Sequence, residues 1–203
     1  MQLYHSPTTP FGRKVMVLLH ETGLLPRVQV IEASGTPLAP GNMPVDRNPL
    51  GKIPCLVRED GMAIYDSRVI CRFLDEIARS GLYGQGDALW KVLTLEATAD
   101  GILDAALLMT YEARLRPEAL RFPDWVEGQW AKIARALDHL EAHWMGHLAG
   151  PLDMGQVALG CALAYVDFRH GGRNWRAGRP KLTAWEAGFA QRPAMQATKP
   201  PAQ

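Results

Sequence analysis

Cysteine is scarce in this chain of 203 residues: Cys55, Cys71 and Cys161 are three in number, widely spaced and never arranged as Cys-x-x-Cys. That excludes a disulfide framework and supplies no zinc-ligand spacing, so the thiols are expected to be reduced and buried. An excess of one charge is lacking too. Lys plus Arg number 22 against 21 Asp plus Glu, a formal net charge of +1, and there is no global field to gather nucleic acid or an anionic membrane. The expected partner is therefore small, with neither nucleic acid nor membrane among the partners. No apolar run approaches the roughly 18 residues that would span a bilayer. Met1 leads almost directly into a strand-like segment instead of a charged and then apolar leader, so a cytoplasmic location is expected. Neither Gly-x-Gly-x-x-Gly nor a Walker motif occurs, which leaves nucleotide cofactors unsupported. No internal repeat is present.

What is present is an ordinary globular composition, 47% hydrophobic and 21% charged, long enough for one large domain or two small ones. Residues 1–79 alternate strand-like and helical patterns. Met1 to Tyr4 reads as a strand, and Val15, Leu18, Leu19 and Thr22 then mark one face of a helix from Pro10 to about Gly23. Arg27 to Ile31 alternates as a second strand. After a Pro- and Gly-rich stretch, Pro54 to Val57 and Met62 to Tyr65 flank Arg58-Glu59-Asp60-Gly61, whose Asp-Gly signals a hairpin. Asp66 is an N-cap candidate for a helix buried through Val69, Ile70, Phe73, Leu74 and Ile77. A helical crossover makes the first two strands parallel and the hairpin makes the last two antiparallel. The outcome is an α/β, thioredoxin-like domain with a mixed four-stranded sheet.

Residues 80–86 carry Gly81, Gly84 and Gly86 and read as a linker. The remainder, 87–203, reads as an all-α domain. A helix over Asp87 to Arg114 comes first, and Val126, Trp130, Ile133, Leu137, Leu140 and Trp144 then recur at spacings of four and three. The nearly continuous apolar run Gly155 to Phe168 is expected to be a buried central helix, followed by an amphipathic helix from about Pro180 to Ala190. The tail Lys199-Pro200-Pro201-Ala202-Gln203 need not be ordered. His139, His143 and His147 share an i, i+4, i+8 spacing but flank an apolar face without an acidic or cysteine partner, so no metal is expected. Arg169, Arg173, Arg176 and Arg179, around Trp175, read as a structural loop.

Three segments can carry chemistry. Leu3-Tyr4-His5-Ser6-Pro7-Thr8-Thr9-Pro10-Phe11 delivers three hydroxyls to the start of a helix with proline at its first position. A helix N-terminus there favours an anion such as a thiolate. Asn48-Pro49-Leu50-Gly51-Lys52-Ile53-Pro54 sets a proline at a strand start, where a cis Ile53-Pro54 bond would turn the Ile53 backbone outward to pair with an extended peptide. Tyr65-Asp66-Ser67 opens a helix, with the Ser67 hydroxyl and N–H placed to hold a carboxylate. Each segment by itself is also an ordinary capped helix or loop.

In this order and spacing the three segments resemble the glutathione-binding domain of the glutathione S-transferase family. With Ala99-Asp100-Gly101-Ile102 and the helix ending Asp167-Phe168-Arg169, the resemblance covers nearly the whole chain and looks closest to the bacterial YibF-like subgroup. It implies a cytoplasmic homodimer in detoxification that uses glutathione as co-substrate, without a metal, to attack a small hydrophobic electrophile or a peroxide. The thiol-activating hydroxyl is then Thr9, with Thr8 and Ser6 as alternatives. Backbone at Ile53 beside Pro54 would pair with the glutathione cysteine, Asp66 and Ser67 would meet its glutamyl end, and Lys52 its glycyl carboxylate. Phe11, Leu107, Leu108 and Tyr111 are the implied electrophile pocket, and Asp104 is placed to reach a glutathione ammonium across a dimer. Cysteine is absent from the position of Thr9, which disfavours disulfide exchange. The family's Ser/Thr-x-x-Asp capping box is not evident at Met154-Gly155-Gln156-Val157. The alternative is a non-catalytic scaffold with the same fold, acting as a binding or stress-response protein.

Overall fold

Alternation of outward and inward side chains makes β1 (Gln2–His5) a strand, with Leu3 and His5 buried. In the computed structural model, which describes residues 1–201, β1 is the second strand of a four-stranded sheet ordered β2-β1-β3-β4. β2 (Gln29–Glu32) runs parallel to it; β3 (Cys55–Val57) and β4 (Ala63–Ile64) form the antiparallel side. The hairpin closes as expected, with Arg58 N–H on Met62 O at 2.9 Å and Gly61 N–H on Arg58 O at 3.1 Å. Leu25–Arg27 forms a short 3-10 turn where the alternation suggested that the second strand begins, so β2 starts two residues later.

Two units make up the chain: Met1–Gln85 with the described residues of Pro193–Gln203, and Gly86–Arg192. In the first, α1 (Pro10–Glu21) and α2 (Ser67–Ala78) bury Val15, Leu18, Leu19, Ile70 and Leu74 in a core shared with Leu3, Cys55 and Leu56. Of residues 80–86, read from their glycines as linker, 80–85 are anchored here. Tyr83 is buried under the Arg72 guanidinium, 4.6 Å from the ring centroid, and Leu82 N–H donates to Asp75 at 2.8 Å. A short helix absent from the sequence reading, α8 (Pro193–Ala197), returns to this unit, where the buried Arg13 of α1 donates to Met195 O at 3.0 Å and Thr198 Oγ1 at 3.3 Å. Of the tail, Ala202 and Gln203 lie outside the described residues.

The second unit is helical: α3 (Asp87–Leu115), α4 (Pro123–His143), α5 (Met145–Leu148), α6 (Met154–His170) and α7 (Pro180–Phe189). α6 is its buried centre, and it approaches α3 so closely that a Cβ on Gly155 would stand 2.9 Å from Leu95 Cβ. A capping box starts α6 after all. Asp153 accepts from Gln156 N–H at 2.9 Å, and Gln156 Oε1 accepts from Asp153 N–H at 3.4 Å. Asp replaces Ser/Thr at the cap and Gln replaces Asp three residues on, with the same reciprocal bonding. The three histidines do not share one helix, because α4 ends at His143; His147 sits on α5, with Nε2 2.7 Å from Asp153 Oδ2. The arginine loop is tied down: Arg173 to Glu127, Arg176 to Asp167 and Glu186, and Arg179 to Asp138.

Candidate functional site

The sheet register gathers the three candidate segments. Tyr4 pairs with Cys55 and Leu56 with Ile64. Because β3 is antiparallel to both neighbours, the end of β1, the start of β3 and the end of β4 lie at one end of the sheet. Ser6 to Phe11, Ile53-Pro54 and Asp66-Ser67 therefore follow or precede adjacent strands there.

At the first segment, Thr9 is the N-cap of α1 in extended conformation, and Arg13 N–H closes the first helical turn on Thr9 O at 3.0 Å. An N-cap threonine ordinarily turns its hydroxyl back to a first-turn N–H. Thr9 makes no such bond. Thr9 is half-buried, and its hydroxyl and the helix-start N–H groups of Phe11 and Gly12 are left without hydrogen bonds among the described residues. Thr8 differs: it is exposed, and its hydroxyl pairs with Ser6 Oγ at 3.2 Å. Of the three hydroxyls, Thr9's is the one without a protein partner among the described residues.

The second segment is braced by a residue whose role the sequence reading did not single out. Asn48 is buried, its Nδ2 donating to Lys52 O at 2.8 Å while its Oδ1 accepts Leu50 N–H at 3.1 Å. The signal lay in the Asn-Pro pair, since asparagine side chains close turns on backbone two residues ahead. The Ile53–Pro54 peptide is cis, as is Tyr65–Asp66. Ile53 is half-buried, and its backbone groups take no part in turn or loop hydrogen bonding among the described residues. Lys52 is exposed.

At the third segment, Asp66 caps α2 by accepting Arg68 N–H at 2.9 Å and lies 3.3 Å from the Arg68 guanidinium, while Ser67 at the first helical position is buried. Beneath these segments, burial pushes the Cys55 thiol up from its ordinary range, and Asp46 adds to that, so it stays protonated and is no rival nucleophile.

Phe11 is half-buried on α1 of the first unit. Leu107, Leu108 and Tyr111 belong to α3 of the second, with Leu108 exposed and the other two half-buried. Burial, and then the neighbouring Tyr165, raises the Tyr111 phenol above its ordinary value, so it remains an O–H donor at neutral pH. Asp104 is exposed on α3.

A family model described as "Glutathione S-transferase, N-terminal domain" matches residues 8–77, and one described as "Glutathione S-transferase, C-terminal domain" matches residues 123–188. The chain belongs to the glutathione S-transferase family. Its mixed-sheet first domain and helical second domain are the fold of that family. The chain is 34% identical, over 99% of both chains, to the uncharacterized GST-like protein YibF of Escherichia coli (strain K12). A glutathione transferase family member from Pseudomonas fluorescens Pf-5, solved with bound glutathione, shares 45% identity and a TM-score of 0.96 over 99% of each chain. A second structure from that organism, with bound S-(propanoic acid)-glutathione, shares 43% identity and a TM-score of 0.90 over 100% of each chain.

Proposed function

We propose that this member of the glutathione S-transferase family binds glutathione at the gathered end of its sheet and activates the thiol through the Thr9 hydroxyl. Its role is then transfer of the glutathione sulfur to a small hydrophobic electrophile. The observation that carries this reading is the Thr9 hydroxyl, left without a cap bond at a helix N-terminus while Thr8 and Ser6 bond each other. The carriage of glutathione by the Pseudomonas structure supports the ligand. The thioether in the second structure supports sulfur transfer over disulfide exchange.

In this reading an extended glutathione pairs its cysteine backbone with Ile53, before Pro54. Asp66 and Ser67 take the glutamyl end and Lys52 the glycyl carboxylate. The thiol must lose a proton to solvent or buffer, and Thr9 stabilises what remains by donating its O–H to the sulfur. A free thiol with pKa about 8.5 is only a few per cent ionised at pH 7, and lowering it by about two units takes about 2.7 kcal/mol. A hydrogen bond to a charged acceptor contributes about 1.5–3 kcal/mol and a helix N-terminus up to about 2. Together they suffice without a metal. The thiolate then forms the S–C bond with the electrophile as its leaving group departs, or adds across an activated double bond with protonation of the adjacent carbon. Leu107, Leu108 and Tyr111 along α3 are assigned to the electrophile, with the phenol as O–H donor. A cytoplasmic homodimer is part of the proposal.

The test is an ultraviolet thiolate titration of glutathione bound to wild type, Thr9→Ala and Thr8→Ala. Thr9→Ala is expected to retain glutathione while raising the thiol pKa by about one to two units, the equivalent of one charged hydrogen bond. A rise in Thr8→Ala with none in Thr9→Ala would transfer the role to Thr8.

A further inference from the structure

Gly12 is the third residue of α1, within its first turn, and the space its missing side chain leaves is filled from two directions. A Cβ placed there would collide with His5 Nδ1, stand 2.6 Å from Thr9 Cγ2 and lie 3.0 Å from His5 Cε1. The imidazole of the last β1 residue and the γ-methyl of the N-cap threonine thus crowd one point against the helix backbone. The Thr9 atom nearest that point is its methyl, not its hydroxyl.

His5 is 8% exposed, and its Nδ1 is buried without a hydrogen-bond partner. Its main chain is fixed, since Ala33 N–H donates to His5 O at 2.9 Å. The ring is neutral across the usual assay range, because burial lowers its pKa from 6.5 to about 4. It cannot act there as a cation beside a thiolate, and it is too weak a base to take the thiol proton. What it supplies is a wall. Threonine has three staggered χ1 wells. With the ring and Gly12 closing one side, the compact apolar methyl takes the inner well.

We propose that His5 is a positioning residue for thiol activation, its ring holding the Thr9 methyl inward over Gly12 so that the hydroxyl is presented away from the ring. The inference rests on the reading of Thr9 as the thiol-facing hydroxyl. It also gives the threonine a use: serine has no methyl to be gripped, so the wall selects a rotamer only when residue 9 is threonine. Rotation of Thr9 about χ1 would let the hydroxyl donate to the bare Nδ1 of His5, and that bond would withdraw it from the sulfur.

The experiment is a double-mutant cycle on the full chain: wild type, His5→Ala, Thr9→Ser and His5→Ala/Thr9→Ser, each titrated for the thiolate of bound glutathione, with circular dichroism and glutathione affinity as controls. Opening one productive χ1 well to three comparable ones predicts that His5→Ala raises the thiol pKa by about half a unit, a thiolate fraction about threefold lower below that pKa. In the serine background there is no methyl to hold and His5 Nδ1 can only compete for the hydroxyl, so the same substitution is expected to leave the thiol pKa unchanged or lower it, never to raise it. An equal shift in both backgrounds, or none in the threonine protein, overturns the proposal. If wild type fails to bind glutathione or leaves its thiol pKa at the free value, it is the functional reading that fails.

A measurement on the unaltered protein keeps the proposal testable should His5→Ala not fold. Three-bond couplings of Thr9 are expected to report one χ1 rotamer, with a nuclear Overhauser contact from its methyl to the His5 ring. Rotamer averaging at Thr9 would refute it.

Discussion

At the scale of single residues, the region around α1's first turn combines tight packing with unspent hydrogen-bonding capacity. Gly12 tolerates no side chain: Gly12→Ala must displace His5 or Thr9, and overpacking of this kind costs about 1–3 kcal/mol, measurable as a lower denaturation midpoint. His5 carries a pH dependence whose sign follows from its lowered pKa. The unfolded chain takes a proton near pH 6.5, whereas the folded chain resists it down to about 4. The folded state therefore has its full stability above pH 6.5 and loses it as the pH falls towards 4. Between pH 7 and pH 5 this group should cost about 2 kcal/mol, and urea unfolding of wild type against His5→Leu at the two pH values is expected to show that difference. Thr9 was legible in the sequence because capping chemistry is local: a hydroxyl, then proline, then a helical period. The grip of His5 was not, because it depends on how a strand end folds back on a helix turn seven residues later.

At the scale of elements, the helices and strands largely follow their periodicities, and two of the three departures have local causes. Trp144 ends α4, which separates His147 from His139 and His143. The pattern Asp153-x-x-Gln156 does the work of the capping box sought in its Ser/Thr-x-x-Asp form. Asp153→Ala is expected to cost about 1 kcal/mol, with an upper range near 2, seen as an earlier urea midpoint with unchanged helical content at low denaturant. A midpoint equal to wild type would mean that the box does not stabilise α6. The helix α8 has no sequence signal of its own, being five residues without an apolar period. Its place comes from Arg13, a buried donor on α1 that bonds Met195 O and Thr198 Oγ1. Arg13→Met should therefore speed amide exchange over residues 193–198 while leaving α3 and α6 unaffected. The box of α6 is local and stands in the sequence in another form, whereas α8 is specified by a partner distant in the chain, which a window-by-window reading does not contain.

At the scale of the whole molecule, a near-neutral chain with two units of different architecture belongs to a family whose name refers to glutathione. The candidate site in the first unit was legible as three separate motifs. Their convergence is a property of sheet order, which the βαβ crossover and the hairpin already implied. The bracing role of Asn48 and the return of the chain after Arg192 were not legible, because both are settled by tertiary bonds. The proposed electrophile contacts, Leu107, Leu108 and Tyr111, are spaced along one helix of the second unit. The proposed homodimer is expected to sediment at twice the chain mass at micromolar concentration, and a single-chain mass there would remove that part of the account. Most direct for the central claim is calorimetric titration of the purified wild-type protein with glutathione, set beside the variant Ser67→Ala. Saturable binding of one glutathione per chain is expected, weakened at least severalfold by Ser67→Ala; no heat of binding at millimolar glutathione would contradict glutathione binding by this protein.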